Sequence, residues 1–246
     1  MGAAFGVQPP MCARDPRCKQ SLAYVGMELF DLSIVDDLLE GCGDVQLAPV
    51  EALAELLVVE AKLIGVLRGR QEFGPRALGH RSLLADARVA TTKTRLNLLK
   101  RRQWYRPVAP MLLLEDFDEL FELSDSSSSS PFMARAPRLR AAAHTMFPAV
   151  AHVDGTARVQ TVSDTDEPWT FDLLRAVKGL IGRGILANTS LNVRGQPIIN
   201  DVCTALQMLE SEEHLDGLVV DGFYVAKGSC IGKGGCPTKW AAASVF

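Results

Sequence analysis

The sequence predicts a mixed α/β (α+β) domain, and three observations carry that prediction. Amphipathic segments with helix-capping residues alternate with short apolar runs. A glycine-flanked apolar run at 63–67 has the look of a buried strand. Two Asp-Gly pairs, Asp154-Gly155 and Asp221-Gly222, sit between strand-like segments as hairpin turns.

Taken in chain order, Ser33 opens a short helix with Asp36 in capping-box position, and Gly41 closes it. A longer helix over 49–62 places Leu53, Leu56, Leu57 and Ala61 on one side. Residues 92–104 read as helix, with Lys93, Asn97, Lys100 and Trp104 recurring on one face. The five serines at 126–130 read as a flexible loop. Residues 150–162 and 218–225 form the two hairpins, and a two-residue turn in the first would set Arg158 opposite Ala151. Between them lie a helix over 169–181 ending in Gly and a strand over 184–188. Asn200 or Asp201 caps a helix with Val202, Ala205, Leu206 and Leu209 on its apolar face.

With 246 residues, 48% of them hydrophobic, the chain can bury a real core, and its composition excludes collagen-like, disulfide-scaffold and wholly disordered proteins. No run reaches the ~18 uncharged apolar residues of a membrane span, and the first residues lack the basic and apolar regions of a signal peptide. Six scattered cysteines (12, 18, 42, 203, 230 and 236) have no usual zinc spacing; they read as reduced thiols in a cytoplasmic protein without a structural metal. The net charge of −3 conceals an island. From Arg68 to Arg106 eleven Lys or Arg stand against Glu72 and Asp86, a local +9, which leaves −12 on the other 207 residues.

Four segments concentrate polar residues that packing does not explain. Residues 69–82 combine turn-forming glycines with Arg70, Arg76 and Arg81, each able to fork onto phosphate or carboxylate. A loop that simply pairs with the acidic remainder of the chain has the same composition. Residues 100–107 join Lys100, Arg101, Arg102 and Arg106 to Trp104 and Tyr105, which suits a phosphate-rich ligand, a nucleic acid or a plain basic surface helix. Residues 152–158 offer Arg158 on a strand; Asp154 reads as a turn residue and His152 as a satisfied histidine near the core. Residues 188–195 leave a strand with hydroxyls, amides, Arg194 and Gly195, the makings of an anion nest or of an ordinary polar turn. No Walker pattern, Gly-x-Ser-x-Gly elbow or His-Glu-x-x-His is present. Several cations without an obvious nucleophile suit electrostatic stabilisation of phosphoryl or nucleotidyl transfer.

At these segments the chain resembles the C-terminal portion of ATP-dependent O-carbamoyltransferases of the nodulation-protein and antibiotic-tailoring type. The resemblance rests on GRQEFGPRALGHRSLLAD, KRRQWYRPVAP, PAVAHVDGTARVQTV and NTSLNVRGQPI, with a GFYVAK ending, over roughly residues 22–227. It implies a YrdC-like twisted mixed sheet with flanking helices that activates carbamoyl phosphate with ATP, magnesium accompanying the nucleotide, to carbamoyl-adenylate. It puts Arg76, Lys100, Arg106 and Arg158 where the family binds carbamoyl phosphate and the ATP phosphates. Ser190 and Asn192 fall where it holds the nucleotide, and Arg194, Arg70 and Arg81 are further candidates that either orient loops or touch substrate.

The same resemblance implies that the carbamoyl group passes to a hydroxyl acceptor held by an actin-like domain with an iron site, in cis or in trans. Residues 1–30 read as a remnant of that domain, 31–227 as the YrdC-like domain and 228–246 as an unstructured tail, so the iron site is expected to be absent. Leu191 stands where the family usually has Phe, and Gln196 where Glu is common. Two other readings stand beside this one: a threonylcarbamoyl-adenylate synthase for tRNA modification, and a non-catalytic nucleotide- or RNA-binding module. The −12 outside the island argues against nucleic acid as a partner.

Overall fold

The structure, a computed structural model, describes residues 23–29, 31–32, 35, 45–122 and 128–229. Eight strands form one mixed sheet in the order β1-β8-β7-β2-β3-β6-β4-β5: β1 Val45–Leu47, β2 Ile64–Leu67, β3 Arg81–Ala85, β4 Ala109–Leu113, β5 Gln160–Val162, β6 Ile185–Ser190, β7 Gly217–Val220 and β8 Phe223–Ala226. Two pairs, β2/β7 and β4/β5, are parallel and the others antiparallel. Helices α1 Val50–Val58, α2 Thr92–Leu99, α3 Phe117–Leu120, α4 Ala141–Met146, α5 Pro168–Ile181 and α6 Val202–Ser211, with a 3-10 turn at Leu114–Asp116, complete the described elements. The mixed α/β class expected from the sequence is the class observed.

The sheet is covered on both faces, so its central strands are apolar throughout instead of alternating with polar residues. Ile64 and Val66 of β2 point into one core with Leu84, Met111, Leu186 and Val219, closed by Leu53 and Leu57 of α1 and Leu173, Leu174 and Val177 of α5. Leu67 points to the opposite core with Leu83, Leu112, Leu218 and Val220, closed by Leu96 and Leu99 of α2 and Leu206 and Leu209 of α6. Gly217 carries no side chain for a packing reason, since a Cβ there would stand 2.4 Å from the Tyr224 ring.

Several elements differ from expectation for local reasons. Helix α1 ends four residues early because the chain turns through Ala61 at φ 54° into β2; Arg88 takes the Val58 carbonyl at 2.6 Å and Arg95 the Ala61 carbonyl at 3.1 Å. Helix α2 stops at Leu99, and Arg101 follows at φ 50°, so Trp104 lies off the helix, 79% exposed. The 150–162 hairpin has a three-residue loop, with the His152 amide donating to Thr156 at 2.9 Å and Gly155 at φ 78°. The extra loop residue shifts the register, and 156–159 pair instead with 135–138. Arg158 therefore does not face Ala151.

The second hairpin has its two-residue turn, Val220 opposite Phe223, with Asp221 and Gly222 both at positive φ. Asp201 caps α6 by accepting from the Thr204 amide at 2.7 Å, and α5 ends at Gly182. Cys203 is disulfide-bonded, which corrects the expectation of a free thiol there; spacing alone does not say which sulfurs the fold brings together. Of the serine run, Ser130 is buried and fastened to Thr161 and Val159. The helix expected over 33–41 lies outside the described residues except for Val35, as do residues 1–22 and 230–246. Among the described residues no helix is long and apolar enough to cross a membrane.

Candidate functional site

Strand β6 is flanked by two antiparallel neighbours, β3 and β4, and this arrangement builds the site. Ser190, at the end of β6, pairs with Ser82 near the start of β3, and Asn188 pairs with Ala109 at the start of β4. The loop entering β3, the loop entering β4 and the loop leaving β6 thus emerge at one end of the sheet. Strand β5 runs parallel to β4, which brings Arg158, two residues before it, to the same end. A cavity of about 300 Å³ opens there, lined by Arg76, Lys100, Arg102, Arg106, Arg158 and Arg194, with Asn188, Thr189, Ser190 and Asn192. Among the described residues no carboxylate lines it.

Arg76, Lys100, Arg106, Arg158, Ser190, Asn192 and Arg194 are therefore brought together from four distant segments. Arg70 and Arg81 are not. Arg70 forms an exposed pair with Glu28 at 2.9 Å. Arg81 is fully buried and spends its guanidinium on the carbonyls of Arg68, Gly69 and His80 and on Asn200. Its place in the motif reflects loop closure. Glu72 does the complementary work: one of its carboxylate oxygens accepts the amides of Leu78 at 2.6 Å, His80 at 2.9 Å and Arg81 at 3.2 Å. The loop that presents Arg76 is thus held by its own acid and its own arginine.

Within the cavity the cations rest on neutral groups. Lys100 donates to the Ser190 carbonyl at 2.6 Å and hydroxyl at 3.1 Å, and to the Asn192 carbonyl at 2.9 Å and Oδ1 at 2.7 Å. Burial, reinforced by the Arg102 guanidinium, pushes the Lys100 ammonium down to about 7. Burial and the charges of Arg106 and Arg158 push Arg102 down to about 10. Arg158 is lowered by burial and by Arg76, and its buried Nε has no partner. Like charges that depress one another mark a site shaped for an anion.

A polar thread ties the floor together. Gln160 Nε2 donates to the Leu78 carbonyl at 2.8 Å, and Asn188 Nδ2 donates to Gln160 Oε1 at 2.9 Å and to the Ala77 carbonyl at 3.1 Å. His152 stands apart from the cavity lining, its Nδ1 meeting Thr156 Oγ1 at 3.0 Å while its buried Nε2 has no partner. Of the lining residues, Met133 lies outside every segment singled out from the sequence, while Arg102, Asn188 and Thr189 lie inside them without an individual role. Arg102 lay inside a recognised basic segment, but nothing in the spacing says which of Arg101 and Arg102 turns inward. Among the described residues no group of three or more His, Cys, Asp or Glu could hold a metal ion. The described side chains that line the cavity offer magnesium no carboxylate.

A cation-lined cavity at one end of a mixed sheet, free of carboxylates among the described residues, defines an α/β domain with a site suited to an anion. The comparisons with known proteins then fix its lineage. Residues 54–227 match the family model described as carbamoyltransferase C-terminus, and the chain belongs to that family. It is 38% identical over 232 residues to nodulation protein NolNO of Sinorhizobium fredii, a match covering 92% of this chain and 34% of that one. It is 39% identical over 232 residues to nodulation protein NolO of Bradyrhizobium diazoefficiens, covering 92% and 42%. Against the 3'-hydroxymethylcephem-O-carbamoyltransferase of Amycolatopsis lactamdurans the figures are 40% over 163 residues, 66% and 30%. The chain thus spans about a third of the length of the curated relatives it matches. Full-length HypF, solved in a phosphate- and nucleotide-bound form, shares the fold with a TM-score of 0.52 at 18% identity, over 72% of this chain and 25% of that one.

Proposed function

We propose that this domain binds ATP and carbamoyl phosphate together and forms carbamoyl-adenylate: a water takes the phosphoryl group of carbamoyl phosphate as inorganic phosphate, and the carbamate oxygen displaces pyrophosphate from the α-phosphorus of ATP. One observation carries the reading: six cations converge on a cavity that no carboxylate among the described residues lines. Two polyanions repel each other in water, and fixed cations with no competing negative charge offset that repulsion as the reacting groups approach. Arg76, Lys100, Arg106 and Arg158 take the phosphates. Ser190 and Asn192, with Arg194, hold the nucleotide by hydroxyl, amide and guanidinium. The family and the relatives named as O-carbamoyltransferases support the carbamoyl group as cargo. Transfer to a hydroxyl acceptor is assigned to an acceptor domain outside the described residues, in cis or in trans, and a cytoplasmic setting accords with these nucleotide substrates.

The test is substrate omission. Pyrophosphate release from ATP is expected only when carbamoyl phosphate is present. Release that instead needs threonine and bicarbonate would assign the domain to threonylcarbamoyl-adenylate synthesis, and tight RNA binding without ATP turnover would make it a binding module.

A further inference from the structure

Asn97 is 2% exposed in the last turn of α2, and its side chain is fully engaged. Its Oδ1 accepts from Arg102 Nε at 2.6 Å, and its Nδ2 donates to the carbonyls of Trp104 at 2.9 Å and Arg106 at 3.1 Å. The backbone repeats the connection, the Arg102 amide donating to the Asn97 carbonyl at 3.0 Å. One buried amide thus folds the 102–106 turn and sets the direction of Arg102, which lines the cavity. The other acceptor on Arg102 is the Pro107 carbonyl at 3.4 Å, also neutral.

An aspartate at this position would accept the same Arg102 proton and, being charged, would make the stronger bond. It would also cancel the cation. Asparagine orients a guanidinium while leaving its full charge to the cavity, and its second arm supplies two donors that a carboxylate lacks. We infer that Arg102 is a further phosphate ligand of this site and that Asn97 is its positioning residue, a neutral clamp whose lack of charge is the property selected. The inference rests on the reading of the cavity as a polyphosphate site and is independent of the carbamoyl chemistry.

Tripolyphosphate binding to the full chain, measured by calorimetry, tests it. Arg102→Gln is expected to weaken binding about 10- to 100-fold. Asn97→Ala, which frees Arg102 without cancelling it, weakens binding by less than tenfold on the order of a lost neutral hydrogen bond. Asn97→Asp weakens it more than Asn97→Ala does, and added salt narrows the gap between the two. Aspartate also sets a carboxylate against the Trp104 and Arg106 carbonyls that the amide donates to, so a purely structural role leaves the gap between the two variants unchanged by salt, and that result overturns the positioning role. Equal or tighter binding by Asn97→Asp relative to Asn97→Ala overturns the positioning role, and wild-type affinity in Arg102→Gln overturns the whole inference. Should the Asn97 variants fail to fold, Arg102→Gln alone decides. Arg101→Gln, altering an exposed pair with Glu212, is the unchanged control. A wild-type chain that ignores tripolyphosphate also overturns the inference. One that binds it but shows no carbamoyl-phosphate-dependent pyrophosphate release overturns only the proposed reaction.

Discussion

Arg68, Arg88, Arg95 and Arg101 each meet a carboxylate at 2.7–2.9 Å, whereas Arg76, Lys100, Arg102 and Arg106, drawn from the same 39-residue stretch, meet none among the described residues. The first set fastens the fold. Arg68 joins the end of β2 to Glu167 at the start of α5, Arg88 joins Asp86 to the end of α1, and Arg95 joins α2 to Asp216 before β7. The second set is gathered on one cavity with its charge left standing. A basic stretch thus holds two populations, told apart by whether a carboxylate meets the cation, with Arg81 apart from both on backbone carbonyls. The paired set stabilises the native state; the uncancelled set strains it and is retained for what it can bind.

Breaking the uncancelled set should cost activity and spare stability. Arg158→Ala is expected to lower carbamoyl-phosphate-dependent pyrophosphate release about 100- to 1,000-fold, in line with loss of a preorganised charge at the reacting centre. Its melting temperature should stay level or rise, because repulsion with Arg76 and Arg102 is relieved. A loss of activity matched by a collapse in stability would erase the distinction between the two sets.

Breaking the paired set should do the opposite. Burial would raise the Glu167 carboxyl, but the His80 hydrogen bond, the Arg68 charge and the Thr170 amide together hold it at about 2. A carboxylate depressed from 4.5 in this way stabilises the fold above pH 4.5 and loses that contribution as the pH falls towards 2, on the order of 3 kcal/mol in all. Denaturant titrations should show Glu167→Gln less stable at pH 7 by about 2–3 kcal/mol, with a flatter stability curve between pH 4.5 and 2.

Lys100 sharpens the comparison through its proton. Its native pKa of about 7 lies below the ordinary lysine value of 10.5, so the unfolded chain holds a proton that the folded chain lacks between those values. This group's contribution makes stability rise with pH from about 7 to 10.5 and leaves it flat below 7. A bound polyanion favours the ammonium, so affinity for tripolyphosphate should fall above pH 7 by up to about tenfold per pH unit. Calorimetry in buffers of different ionisation heat should register proton uptake on binding. The smallest effect is expected from Arg70→Ala, whose partner Glu28 is largely exposed: less than about 0.5 kcal/mol in the unfolding free energy and an unchanged activity.

Much of this was legible from local chemistry, and its limits are local too. Asp221-Gly222 dictates its own two-residue turn, and Asp201 caps α6 whatever surrounds it. Asp154-Gly155 carries the same signature, yet Thr156 bonds Asp154 through both its amide and its hydroxyl and the loop lengthens by one residue. Arg81 and Arg76 sit in one glycine-rich motif, and nothing in their spacing says that one is sealed beneath three carbonyls while the other lines the cavity. Burial is decided by strands far away in sequence, which is why the segments were recognisable and the individual roles were not. Asn97 shows the same blindness, since its worth comes from carbonyls seven and nine residues on.

Strand β6 has one more consequence, and it concerns the order in which the protein comes into being. It lies between β3 and β4, which begin 104 and 76 residues before it in the chain and leave the ribosome first. Until Ile185–Ser190 is synthesised, those two strands present unpaired edges to each other and to neighbouring chains, the condition that invites intermolecular pairing. The Ser190 and Asn192 oxygens that receive Lys100 arrive at the same moment. A nascent chain thus carries its cations without a cavity, and one late strand both closes the sheet and makes the site.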